Sequence, residues 1–125
     1  MRHIRIVLID DDITIGRVIK RTFRHYDIVT FNDSVEGLKY INDNLPDIVM
    51  LDLNMPKMTG VEILQVLKLN DNTCHIPVII MSGDDDESMK EKTISLHAEA
   101  YIAKPFTKED IQDTLDIIIK RLGMA

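Results

Sequence analysis

Three adjacent carboxylates, Asp10-Asp11-Asp12, and a further one at Asp52 are the residues of this chain whose types most directly suggest chemistry. A carboxylate can attack phosphorus and form an aspartyl phosphate. The incoming group is itself anionic, however, and Asp10 and Asp11 would add negative charge beside it. Two unit charges 4 Å apart interact by about 4 kcal/mol at an effective dielectric of 20. Without a cation such carboxylates would repel, and one would tend to keep its proton. Magnesium (or manganese) resolves the conflict, because it prefers oxygen ligands and is commonly held by one or two carboxylates plus a substrate phosphate. Asp11, Asp52, a backbone carbonyl near Asn54 and a phosphoryl oxygen would make such a site. Lys104 would supply a fixed positive charge and Ser82 a hydroxyl donor for the remaining phosphoryl oxygens. Positioning and charge neutralisation are most of what phosphoryl transfer asks of a protein.

Each of these residues closes an apolar run. Ile4-Arg5-Ile6-Val7-Leu8-Ile9 stops at Asp10, Ile48-Val49-Met50-Leu51 at Asp52, Val78-Ile79-Ile80-Met81 at Ser82, and Ala100-Tyr101-Ile102-Ala103 at Lys104. If the runs are neighbouring parallel strands, their endings converge at one edge of a sheet, where open α/β sheets hold ligands. Apolar runs rich in Ile and Val alternate with segments at helical spacing, which predicts a parallel sheet covered by helices on both faces. The strands are expected at about His3–Ile9, Asp27–Phe31, Ile48–Leu53, Val78–Met81 and Ala100–Ala103.

The first helix follows the acidic cluster, with Ile15, Val18, Ile19 and Thr22 along one face. The second starts at Ser34 as N-cap, with Val35, Leu38 and Ile41 inward. The third opens on a capping box of Thr59 and Glu62, with Ile63, Leu64 and Leu67 facing the sheet. The fourth, about Asp85 to His97, has only Met89, Ile94 and Leu96 as strong apolar residues and so buries little surface. It reads either as a movable element or as a static, solvated one. The fifth starts at Thr107, with Asp110 in the capping position and a stripe of Ile111, Leu115, Ile118 and Leu122. Within Ile117-Ile118-Ile119 only Ile118 fits that stripe, which leaves either a partner face or partial burial for the others.

Taken singly, these signals are weak. A strand-end Asp is often a helix cap, and that is the reading favoured for Asp12. Ser-Gly and Lys-Pro are ordinary turn dipeptides. The information lies in their joint order, each closing a different strand. The acidic run Asp84-Asp85-Asp86-Glu87 suits a helix N-terminus.

A length of 125 residues suits one domain, 1–125, with a single sizeable core. No apolar stretch approaches the roughly 20 residues needed to cross a bilayer, and a strand-like run begins too early to leave room for a signal peptide. The lone Cys74 forms no internal disulfide and fits a reducing compartment, so a cytoplasmic location is expected. A net charge of -6 argues against direct nucleic-acid binding. Arg17, Lys20, Arg21 and Arg24 do cluster, and read as the solvated face of a helix. The histidines are scattered and suggest neither a metal site nor a catalytic dyad.

From end to end the chain resembles a receiver domain of the two-component response regulators. The matching stretches are Val7-Leu8-Ile9-Asp10-Asp11-Asp12, Val49-Met50-Leu51-Asp52-Leu53-Asn54-Met55-Pro56 with Gly60, Ile79-Ile80-Met81-Ser82-Gly83, and Tyr101-Ile102-Ala103-Lys104-Pro105-Phe106. The resemblance implies a flavodoxin-like sheet of five parallel strands in the order 2-1-3-4-5, flanked by five helices. It makes Asp52 the phosphoacceptor, Asp10 and Asp11 metal-binding acids together with Asp52 and the Asn54 carbonyl, and Ser82, Lys104 and Tyr101 the phosphoryl-binding and switch residues. It implies a cis bond before Pro105 and marks Asn54 and Asp84 as possible modulators of dephosphorylation. Leu96-His97-Ala98-Glu99-Ala100 departs from the Gly-Ala pair common before the last strand, away from the site.

The expected partners are a histidine kinase or histidine phosphotransfer protein and a downstream protein or fused output domain. A homodimer through the face of the fourth helix, fifth strand and fifth helix is also possible. Such a protein is not a conventional enzyme, though it catalyses its own Asp phosphorylation and dephosphorylation. A phosphohydrolase on a related fold would generally need an acid at the position of Asn54 and a cap domain. A phosphate-independent interaction module would be expected to lack Asp52, Lys104 or the acid pair, and all are present.

Overall fold

A computed structural model describes residues 3–83 and 87–124. The element order is β1 (Arg5–Ile9), α1 (Ile13–Thr22), β2 (Asp27–Phe31), α2 (Ser34–Asn44), β3 (Ile48–Asp52), α3 (Gly60–Leu69), β4 (Val78–Ser82), α4 (Glu87–Ser95), β5 (Ala100–Ala103) and α5 (Lys108–Arg121). The strands form one parallel sheet in the order β2-β1-β3-β4-β5. The expected flavodoxin-like α/β architecture is therefore observed. Two strands match the expected spans residue for residue, β1 starts two residues later, β3 ends at Asp52, and β4 extends to Ser82.

Strand side chains alternate between two cores, as a period of two requires. Ile6, Leu8, Met50, Ile79, Met81 and Ile102 face one layer, where they meet Ile19 and Phe23 of the α1 region and Ile111, Leu115, Ile118 and Ile119 of α5. Val7, Ile9, Val49, Leu51, Val78 and Ile80 face the other, against Ile41 of α2 and Ile63, Leu64 and Leu67 of α3. The central β3 and β4 are buried along their whole length, which accounts for their unbroken apolar runs.

The caps of α1, α3 and α5 follow the sequence. Asp12 accepts from the Thr14 N–H, and both capping boxes, Thr59 with Glu62 and Thr107 with Asp110, are closed. Four inward assignments need correction. Val18 is 55% exposed and Val35 48% exposed, while Thr22 is also at the surface and Leu122 caps α5 in a half-exposed position. In α1 and α2 the faces against the sheet are taken by Gly16 and Ile19, and by Gly37 and Ile41. At Gly37 a Cβ would lie 2.5 Å from Ile9 Cδ1, so glycine lets α2 close onto β1 and the helix turns Val35 outward.

The N-cap of α2 is Asp33 rather than Ser34. Its carboxylate accepts from the Val35 and Glu36 N–H groups. The α4 expectation holds in kind: Thr93 is its one buried residue, Ile94 is exposed, and the expected start at Asp85 lies outside the described residues. In α5, Ile119 joins Ile118 in the core and Ile117 faces solvent. No described helix is long and apolar enough to cross a membrane.

Candidate functional site at the carboxyl ends of the strands

Register alone brings the acidic residues together. Ile9 pairs with Leu51, so the next residues, Asp10 and Asp52, leave β1 and β3 side by side. Asp52 in turn pairs with Met81 and Ser82 with Ala103, which sets Ser82 and Lys104 one step further along the same edge. The Lys104 N–H donates to the Ser82 carbonyl at 2.7 Å, and the Leu53 N–H to the Met81 carbonyl at 3.2 Å, extending the sheet beyond the formal strand ends. The Lys104–Pro105 bond is cis, as the sequence resemblance implies.

Lys104 Nζ lies 2.8 Å from Asp10 Oδ2 and 3.2 Å from Asp52 Oδ1. Asp10 and Asp52 are buried and Asp11 is exposed at the mouth. Asp10 is held from its other side as well, its Oδ1 accepting from the Asp12 N–H at 2.9 Å. Burial pushes the Asp52 carboxyl up to about 6, with the charge of Asp10 and contact with the Asp11 carboxyl acting the same way, while Lys104 opposes them. For Lys104 burial favours the neutral amine. The hydrogen bonds and charges of Asp10 and Asp52 outweigh it and hold the ammonium above the ordinary lysine range.

One carboxylate oxygen each from Asp10, Asp11 and Asp52 lies within 4.8 Å of the others. Three hard, anionic oxygen donors with one side open to solvent fit magnesium or manganese, and not a soft metal that seeks thiolate or imidazole. This is the triad that the sequence resemblance expects to bind magnesium. Asn54 sits two residues past Asp52 and is exposed. Ser82 is fully buried, and Tyr101 is half-buried against the core on the α2 and α3 side of the sheet. Asp84 lies outside the described residues.

The structure brings two further residues to the edge of this site, Ser34, expected only as a helix cap, and Lys57, for which the sequence suggested no role. Ser34 is buried, its hydroxyl donating to the Pro56 carbonyl and accepting from the Met58 N–H, both at 3.1 Å. Beside it Lys57, at φ +69°, forms an ion pair with Asp33. The start of α2 thus ties down the loop that follows Asp52 and Asn54. Gly60 packs directly beneath Asp52, where a Cβ would lie 2.9 Å from Leu53 Cα and nearer still to the Asp52 carbonyl oxygen.

Residues 6–116 match the response regulator receiver domain. The chain belongs to the receiver family. Among solved structures, a receiver domain protein from Clostridium thermocellum is 31% identical, with a TM-score of 0.89 over 97% of this chain and 98% of that one. The receiver domain of the Francisella response regulator 1452 is 29% identical, also with a TM-score of 0.89, over 96% and 99%.

Among curated proteins, the alkaline phosphatase synthesis transcriptional regulatory protein PhoP of Bacillus subtilis is 27% identical over 97% of this chain and 50% of its own length. The probable transcriptional regulator ycf27 of Porphyridium aerugineum is 28% identical over 100% and 52%. This receiver chain thus spans about half the length of the curated relatives it matches. A receiver takes part in two-component signalling and is not a conventional enzyme. The pocket of Asp10, Asp11, Asp52 and Lys104 is consistent with a phosphoaccepting regulator.

Proposed function

We propose that Asp52 accepts a phosphoryl group from the phosphohistidine of a histidine kinase or histidine phosphotransfer protein, and that residues 1–125 act as a single cytoplasmic receiver domain. The observation that carries this reading is the Lys104 ammonium set between Asp10 and Asp52 at the carboxyl ends of the strands. A carboxyl with a pKa near 6 is mostly ionised at neutral pH and so is a competent nucleophile. An Asp52 oxygen forms the new bond to phosphorus as the phosphorus–nitrogen bond breaks. The electron pair leaves with the imidazole, which takes a proton from solvent.

Asp10, Asp11, Asp52 and the Asn54 carbonyl are the residues that would hold magnesium or manganese. Such an ion supplies the positive charge that lets a phosphoryl group approach three carboxylates. Lys104 moves from its carboxylate partners to a phosphoryl oxygen, and the Ser82 hydroxyl donates to another. Asn54, exposed two residues past Asp52, and Asp84, two residues after Ser82 in sequence, tune access of water and so the lifetime of the aspartyl phosphate. The chain thereby catalyses its own phosphorylation and dephosphorylation.

The signal is a shift between two conformations that interact differently with the added charge. Phosphorylation contributes about -1.5 to -2 charge and strong acceptor oxygens. A change from 1:99 to 99:1 needs about 5.5 kcal/mol of differential stabilisation, a good part of which charge-assisted hydrogen bonds can provide. Ser82 moving towards the phosphoryl group and Tyr101 turning inward would alter the α4-β5-α5 face. Shallow anchoring of α4 and the exposed Ile94 and Ile117 suit that face to a downstream protein, a fused output domain or a second copy. The test is label transfer from a histidine-phosphorylated donor, followed by peptide mapping. A hydroxylamine-sensitive label on the Asp52 peptide is expected. Label elsewhere, or none from any donor, would favour a phosphate-independent interaction module.

A further inference from the structure

The basic cluster seen in the sequence is not spread over an isolated helix face. Arg17, Lys20 and Arg21 of α1 and Arg24 in the turn after it line a groove of about 770 Å³ whose opposite wall is Tyr26, Asp27, Ile28 and Val29. Tyr26 immediately precedes β2, and Asp27, Ile28 and Val29 begin it, the edge strand of the sheet. None of the four cations forms an ion pair among the described residues, and Asp27 is the one carboxylate lining the groove. The helix dipole accounts for basic residues in the last turn, Lys20 and Arg21. It does not account for Arg17, or for all four cations sharing one groove in a chain of net charge -6.

The backbone of β2 supplies a second, independent feature. The Asp27 N–H donates to the Ile4 carbonyl and the Phe31 carbonyl accepts from the Asp10 N–H, so the odd-numbered residues of β2 bond to β1. By the alternation of a parallel ladder, the N–H and C=O groups of Ile28 and Thr30 point away from the sheet. Such an edge accepts an added strand through main-chain hydrogen bonds, and pockets beside it select alternate side chains.

We propose that this groove binds an acidic, extended peptide that pairs with β2 as a sixth strand. Its main chain bonds Ile28 and Thr30, and carboxylates on alternate residues meet Arg17, Lys20, Arg21 and Arg24. A nucleic-acid backbone would satisfy the cations but leave the strand edge unpaired, so the peptide is the occupant that uses both features. Magnesium and phosphorylation play no part in the contact.

The test uses an acetylated, amidated heptapeptide of alternating Glu and Val, titrated into the Asp52→Asn protein without magnesium and followed by amide NMR. That choice keeps the result independent of the phosphoryl chemistry. Saturable shifts at the Ile28 and Thr30 amides are expected. Affinity should fall roughly tenfold or more in the Arg17→Glu/Arg21→Glu variant, and similarly when the peptide carries backbone N-methyl groups. Both substituted residues are exposed, so the fold is retained. No binding at millimolar peptide would overturn the proposal. So would undiminished binding by the N-methylated peptide, or binding of a single-stranded oligonucleotide of equal charge in preference to the peptide.

Discussion

Gly60 begins α3 directly against the main chain of Asp52, and the Gly60 N–H donates to the Leu53 carbonyl at 2.9 Å. The main chain that carries the Asp52 carboxylate is therefore supported from below by backbone, while Lys104 meets the carboxylate itself. Any side chain at position 60 meets the Asp52 carbonyl oxygen and Leu53 Cα, neither of which can rotate away. Gly60→Ala is expected to cost about 1–3 kcal/mol and to reduce phosphorylation of the folded fraction. Urea denaturation combined with a phosphorylation assay checks both. An alanine variant of unchanged stability and activity would show that the loop gives way freely.

Asp52 carries a pH signature of its own. Its carboxyl titrates near 6 in the fold against 3.8 for an unperturbed aspartate, so between those values the folded state holds a proton that the unfolded state has lost. From this group, stability rises as pH falls through 6 towards 3.8, and the ionised form is a cost above 6. Asp52→Asn is expected to stabilise the metal-free protein at pH 7.5 by on the order of 1–3 kcal/mol, with the gain fading towards pH 4. Urea titrations in EDTA across that range measure it. A gain that grows on acidification would contradict the assignment.

Lys104 competes for the same oxygens that would hold the metal. Replacing it with methionine removes a positive charge whose repulsion of a divalent ion is on the order of 1–2 kcal/mol even in water. Lys104→Met should therefore bind magnesium roughly five- to thirtyfold more tightly by calorimetry while accepting a phosphoryl group poorly. Tighter metal with intact phosphorylation would remove Lys104 from the transfer step. Weaker metal would mean that the ammonium mainly holds the site in shape.

Ser34 links two elements through one buried hydroxyl. Ser34→Ala leaves the Met58 N–H and the Pro56 carbonyl without that partner, at about 1–3 kcal/mol. The expected result is a lower urea midpoint, with faster amide exchange concentrated at residues 56–59. Uniformly faster exchange across the sheet would instead point to general loosening.

The strands and most of the site were legible because fully buried parallel strands read as unbroken apolar runs, and the residues ending them fall at one edge whatever the helix details. The capping boxes at Thr59 and Thr107 were legible for a similar reason, since they are local. Errors arose where tertiary contact decided between local options. Asp33 and Ser34 are both cap-type residues, and the loop at Pro56 and Met58 engages Ser34, leaving the cap to Asp33. Glu36, three residues after Asp33, is the sequence signal that favoured Asp33. Val18 and Val35 were expected inside on hydrophobicity, yet glycine at 16 and 37 draws each helix close and sets its inward face. The groove beside β2 was invisible in the sequence, because a cluster on one helix says nothing of the strand edge opposite.

The central claim, that Asp52 is a magnesium-dependent phosphoacceptor, is tested most directly by intact-protein mass after incubation with acetyl phosphate. The comparison is wild type against Asp52→Asn, each with and without magnesium. One phosphoryl adduct, present only when both magnesium and Asp52 are present, is the predicted result. An adduct that persists in Asp52→Asn, or none in the wild type with a histidine-phosphorylated donor also failing, would contradict it.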